Sequence, residues 1–133
     1  MLNLMVAADQ VRYRLNNFCQ TFGITSTQYN VLRILRGVYP SGHSRNEIAL
    51  RMLERAPDVT RLLDRLEKTD FLQRDRSEKD KRFTVNKITD KGLDLLGEMD
   101  SYIEQTENFI GSEITQEECV KLSSICEKIY TTK

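Results

Sequence analysis

The stretch from Ser44 to Gly92 constrains this chain most: two short amphipathic helices in succession, then a hairpin with a charged tip. In the second helix Val59, Leu62, Leu63 and Leu66 take the i, i+3, i+4, i+7 spacing of one buried stripe. Asp58, Thr60, Arg61, Asp64, Arg65 and Lys68 are left on the polar side. Pro57 suits the first helical position, where its missing N–H costs nothing. The chain then reads Gln73-Arg74-Asp75-Arg76, a tip at Ser77-Glu78-Lys79-Asp80-Lys81, and a second strand from Arg82 to Ile88. In that strand Phe83 and Val85 alternate with Thr84 and Asn86, which predicts the first pair on the core and the second toward solvent.

Helices surround this segment. Leu4, Ala8, Val11, Leu15, Phe18 and Phe22 form a seam with steps of four and three that calls for a partner helix, and Gly23 stops it. Thr25-Ser26-Thr27-Gln28 has capping-box form ahead of Tyr29, Val31, Leu32 and Leu35, with Gly37 and Pro40 closing that helix. Past the Ser41-Gly42-His43 loop, Ser44-Arg45-Asn46-Glu47 opens a short helix with Ile48, Ala49, Met52 and Leu53 expected inward. Thr89 caps a long helix in which Leu95, Tyr102 and Phe109 repeat at seven, flanked by Leu96, Met99, Ile103 and Ile110. Thr115-Gln116-Glu117-Glu118 caps the last helix, whose apolar positions are Val120, Leu122, Ile125, Cys126 and Ile129. The fold class is mainly α with a small β-hairpin. Apolar stripes on the first and last two helices exceed what one small domain hides, so a homodimer is expected, joined through Leu4, Ala8, Val11, Leu15, Ile125 and Ile129.

With 133 residues, 39% hydrophobic and 30% charged, the chain suits a single domain. No apolar run approaches the roughly 20 residues of a membrane span, and Met1 to Met5 lack a signal-peptide pattern, so a cytoplasmic protein is expected, without a membrane partner. Cys19, Cys119 and Cys126 have neither disulfide nor zinc spacing. A single histidine, His43, offers no metal pair and no partner for a nucleophilic cysteine, so no catalysis, metal or cofactor is expected. Net charge is zero, but residues 1–44 carry +3, residues 45–92 carry +3 and residues 93–133 carry −6. That modest basic excess makes the orientation of arginines matter more than bulk potential.

Arg61 and Arg65, on adjacent turns, suit guanine edges or phosphates in a major groove. The alternative is a solvated face on which Asp58 and Asp64 pair locally with them. Thr60 and the amides behind Pro57 suit a phosphate, whereas Asp58 repels one unless it accepts from a cytosine amino group. Lys79, Lys81 and Arg82 suit a narrow minor groove, and Arg45 and Asn46 the backbone. Double-stranded DNA is the expected partner.

These residues resemble the MarR family of bacterial transcription regulators, over nearly the whole chain. The most specific pieces are Asp58-Val59-Thr60-Arg61-Leu62-Leu63-Asp64-Arg65-Leu66-Glu67-Lys68, similar to the family's recognition helix, Asp80-Lys81-Arg82 at the wing tip, and Ile88-Thr89-Asp90-Lys91-Gly92 at the start of the fifth helix. Thr25 to Leu35 also resembles the family's second helix. The resemblance implies a winged helix-turn-helix homodimer on palindromic operators, acting as a repressor, with release tuned in many members by a small molecule or by oxidation. It implies a reading core at 24–92, dimerisation segments at 1–23 and 93–133, and an Asp80 that orients Arg82. Thr69-Asp70 replaces the family's glycine after the recognition helix; aspartate tolerates the left-handed conformation needed there. Hydroperoxide-sensing members carry a cysteine early in the first helix, whereas Cys19 comes near its end. Tyr13, Tyr29 and Tyr39 are candidates for lining an effector cleft. The alternatives are a dimeric winged-helix module that binds a protein partner, and thiol redox sensing through Cys19.

Overall fold

A computed structural model describes residues 1–55, 58–105 and 110–132. The elements run α1 (Leu2–Thr21), α2 (Ser26–Arg36), α3 (Arg45–Arg51), α4 (Val59–Lys68), β1 (Leu72–Arg76), β2 (Thr84–Ile88), α5 (Asp90–Gln105) and α6 (Gln116–Thr131). They fall into two compact units, Met1–Asp100 and Ser101–Lys133.

Capping chemistry sets where the helices begin. Thr25, Ser44 and Thr115 each accept from the backbone N–H three residues on, while Gln28, Glu47 and Glu118 reach back to the capping residue's own N–H. Each such cap contributes about 1 kcal/mol. The hydrogen bonds from Ser44 hold the Glu47 carboxyl below its ordinary range. Asp58 is the cap of α4, its carboxylate accepting from the Arg61 N–H at 2.9 Å; the position expected for Pro57 lies outside the described residues. Gly23 leaves α1 with φ at 76°, and Asp70 after α4 takes φ at 61°, the left-handed turn expected of an aspartate in place of glycine.

The core of the first unit is Val31, Leu32 and Leu35 of α2, Ile48 of α3, Leu63 and Leu66 of α4, Leu72 of β1, and Leu96 and Met99 of α5. From α1, only Phe18 and Cys19, in its last turns, are buried. Leu53 and Ala49 do not turn inward: Leu53 is 83% exposed, beyond the end of the two-turn α3, with its N–H held by the Asn30 side chain at 2.9 Å.

The hairpin pairs Leu72 with Ile88, Arg74 with Asn86 and Arg76 with Thr84. This reverses the expected facing of β2. Phe83 is 60% exposed, whereas Asn86 and Ile88 are buried. Ile88, paired with Leu72 at the base of the hairpin, decides the register: with a side-chain period of two, Asn86 must follow Ile88 inward and Val85 must not. Asn86 is tolerated because His43 lies beside it like a one-residue third strand. The two backbones exchange N–H···O bonds of 3.0 and 2.8 Å, and the Asn86 amide donates to the His43 carbonyl at 3.1 Å. The approach leaves no room at Gly42, where a Cβ would sit 2.3 Å from the Asn86 carbonyl oxygen.

Cys19 is fully buried, and burial pushes its thiol from 9.0 up to about 11. Such a thiol is protonated at neutral pH and shielded from oxidants, which removes the geometric support for redox sensing through Cys19. Below pH 9 both folded and unfolded chains hold the proton. Between 9 and 11 the unfolded chain loses it first, so folding stability should fall by about 2 kcal/mol over that window. Urea unfolding at pH 8 and pH 11 should show this loss in the parent and a smaller one in Cys19→Ala; equal losses would contradict the assignment.

In the second unit α6 buries none of its side chains. Val120, Ile125 and Ile129 are 62%, 47% and 56% exposed, so the face expected to turn inward has no cover within the described residues of one chain. Phe109 lies outside the described residues.

Candidate nucleic-acid interface

Between Ser44 and Ile88 the chain brings three polar groups onto one unit: the start of α3, the polar side of α4 and the hairpin. Along α4, Val59, Leu63 and Leu66 point into the core. Thr60, Arg61 and Arg65 are exposed. The local pairing weighed for the arginines does not form: the Asp58 carboxylate is used on the Arg61 backbone, and Asp64 reaches Arg74 on β1. Among the described residues, no carboxylate lies within salt-bridge distance of the Arg61 or Arg65 guanidinium.

Two clefts flank α4. One is lined by Arg45, Thr60, Leu63, Arg74, Thr84 and Asn86, between the starts of α3 and α4 and the hairpin. The other is lined by Asn16, Thr25, Ser26, Thr27, Asp58, Arg61, Leu62 and Arg65, between α4 and the meeting of α1 with α2. Arg45 donates to the neighbouring Asn46 side chain at 3.2 Å at the exposed start of α3. None of the three tyrosines lines either cleft: Tyr29 is buried with the Arg33 guanidinium 5.8 Å from its ring centre, while Tyr13 and Tyr39 are exposed elsewhere.

The hairpin tip is shaped by its own backbone. The Ser77 N–H donates to the Phe83 carbonyl at 2.8 Å and the Phe83 N–H to the Asp80 carbonyl at 3.0 Å. Asp80 then grips Arg82: the Arg82 backbone N–H reaches Oδ1 at 3.0 Å, Nε at 3.1 Å and a terminal nitrogen reaches Oδ2 at 2.8 Å. This fork leaves the Arg82 side chain 85% exposed but fixed in direction. The same hydrogen bonds, side chain first, hold the Asp80 carboxyl below its usual range. Lys79 and Lys81 flank the pair, both exposed.

Sequence reasoning missed Arg74. It sits on the inward face of β1, two residues beyond Leu72, with one terminal nitrogen on Asp64 of α4 and Nε 3.4 Å from Glu67. The signal was available: taking Leu72 and Ile88 as the inward pair would have put Arg74, Arg76, Thr84 and Asn86 on the face toward α4.

A sequence profile described as the MarR family matches residues 24–84, which span the helices and hairpin just described. Over 75 residues the chain is 36% identical to an uncharacterized HTH-type transcriptional regulator, YkoM, of Bacillus subtilis (strain 168), a match covering 56% of this chain and 47% of that protein, so it spans about half the relative's length. The crystal structure of a MarR transcription factor from Planctomyces limnophilus is 31% identical and superposes with a TM-score of 0.71, covering 95% of this chain and 91% of that one. A mutant of Escherichia coli MarR, crystallised with operator DNA, shares the fold at 20% identity with a TM-score of 0.80, over 95% of this chain and 89% of that one. The capped recognition-type helix, the hairpin with its Asp80–Arg82 tip and these likenesses together place the chain in the MarR family of winged-helix transcription regulators.

Proposed function

We propose that the chain is a sequence-specific DNA-binding repressor that works as a homodimer on a palindromic operator in the cytoplasm. The observation that carries this reading is the arrangement of guanidinium groups. Arg61 and Arg65 stand exposed on one side of α4, and Arg82 is aimed by Asp80 at the hairpin tip, all within one compact unit. A folded protein gains little stability from holding an 85% exposed arginine in a fixed direction. A narrow minor groove, by contrast, rewards an inserted arginine that is already oriented. The α1 seam, with Leu4 exposed and Ala8, Val11 and Leu15 half-buried, and the exposed apolar face of α6 support dimerisation, with 24–92 as the reading core and 1–23 and 93–133 as the dimerisation segments. In this reading Arg45, Asn46 and Thr60 contact backbone, Lys79 and Lys81 flank the inserted Arg82, and Asp58 and Asp64 act indirectly, through the cap and through Arg74. The cleft beside Arg61 and Arg65 is the place for a small-molecule effector, because an occupant there would meet both reading side chains.

Selection from random duplexes should enrich an inverted repeat whose affinity falls steeply with salt, as phosphate contacts require. Arg82→Ala should weaken binding by about 1 to 3 kcal/mol, mostly by relaxing preference at the operator flanks. Failure to enrich any sequence would overturn this reading and favour a protein partner.

A further inference from the structure

We infer that the Arg74–Asp64–Glu67 cluster is a strut that fixes the wing at a set angle to the recognition helix, so that Arg74 is a positioning residue for Arg82; the inference rests on the DNA-reading role proposed above. Arg74 projects from the middle of β1 toward α4, where Asp64 and Glu67 stand one turn apart on the same face. A planar guanidinium held on two sides by carboxylates of one helix cannot swing without losing a contact, which a single ion pair would allow. The groups are partly shielded, with Arg74 29% exposed and the carboxylates 46% and 44%.

The need for such a link follows from the hairpin's construction. Two strands alone are marginally stable, and among the described residues the hairpin forms a sheet of two strands. Its base is anchored by Leu72 and Ile88 in the core, and the His43–Asn86 bridge ties β2 to the loop before α3. The turn from α4 into β1 adds a backbone bond from the Phe71 N–H to the Leu66 carbonyl at 3.0 Å, but it lies at the base of the hairpin, below Arg74. Arg74 supplies the ionic tie between the hairpin and that helix. From Arg74 to the tip the lever is on the order of 10 Å at the rise of a strand. A rotation of about 15° at the base would therefore carry the tip by roughly 3 Å, beyond what a hydrogen bond tolerates. The strut also accounts for two carboxylates beside a surface that is to meet phosphates: they answer Arg74 rather than DNA.

The test uses two sets of substitutions with opposite charge. Arg74→Gln removes a positive charge, and Asp64→Asn with Glu67→Gln removes two negative ones. A purely electrostatic role predicts weaker DNA binding from the first and tighter binding from the second. The strut predicts about tenfold weaker operator binding from both, with little further cost of Arg82→Ala in either background, and with Arg74→Lys in between. Amide order parameters for residues 77–83, measured by NMR relaxation without DNA, should fall in both broken variants. Unchanged order parameters, tighter binding by the carboxylate variant, or a full Arg82→Ala cost in both backgrounds would each overturn the inference. If the parent binds no duplex, the DNA-reading role fails, while the order parameters still decide whether the strut holds the wing.

Discussion

Replacing Arg61 and Arg65 together by alanine is expected to lower affinity for the selected operator by roughly 10²- to 10⁴-fold, from about 1 to 3 kcal/mol for each bidentate contact with some overlap between adjacent turns. Both guanidinium groups are exposed, and neither is held by a carboxylate among the described residues, so the substitutions should leave the fold intact. Fluorescence anisotropy on the selected duplex and on a scrambled one measures the loss. The difference between the two duplexes should shrink, because base-edge contacts distinguish sequences and phosphate contacts do not. The cap of α4 is unaffected, since Asp58 accepts from the Arg61 backbone and not from its side chain. Unchanged affinity in the double variant would remove α4 from the reading surface.

The second large effect concerns assembly. Ile125→Asp with Ile129→Asp places two charges at positions of α6 that are 47% and 56% exposed, so the folded protomer should tolerate them. Across a two-fold axis the same residues would be buried, and four unpaired carboxylates there would be far costlier than the apolar contacts they replace. Light scattering should report a dimer for the parent and a monomer for the variant. Operator affinity should fall by about 10²- to 10⁴-fold, the usual worth of coupling two half-site contacts. A variant that stays dimeric would move the interface off α6.

Much of this architecture was legible in the residues themselves. The capping boxes at Thr25, Ser44 and Thr115 announced three helix starts because the side-chain geometry is local and needs no tertiary help. The stripe of α4 and the left-handed Asp70 were readable for the same reason. Facing in β2 was not. Phe83 and Val85 look more apolar than Asn86, and only the pairing of Leu72 with Ile88 and the long-range bridge to His43 reverse the choice. Leu53 was misread because α3 ends at Arg51, so the helical period that would have carried it inward no longer applies.

The interface showed the same division. The Asp80–Arg82 fork spans two residues in sequence, and the resemblance to known regulators was enough to anticipate it. The Arg74–Asp64–Glu67 cluster joins a strand to a helix across a turn, and it became visible only once the strand's inward face was known. Asp64 illustrates the cost: on the helix alone it looks like a local partner of Arg61, but its charge is committed to Arg74.

The most direct test of the central claim is a hydroxyl-radical footprint of the parent protein on its selected inverted repeat. Two recognition helices in successive major grooves, about 10 base pairs apart, with a wing outside each, predict protection symmetric about the repeat's centre and ending in a minor-groove window on either flank. Protection confined to one half of the repeat, or spread evenly along the duplex, would contradict a symmetric pair of arginine-bearing helices and wings.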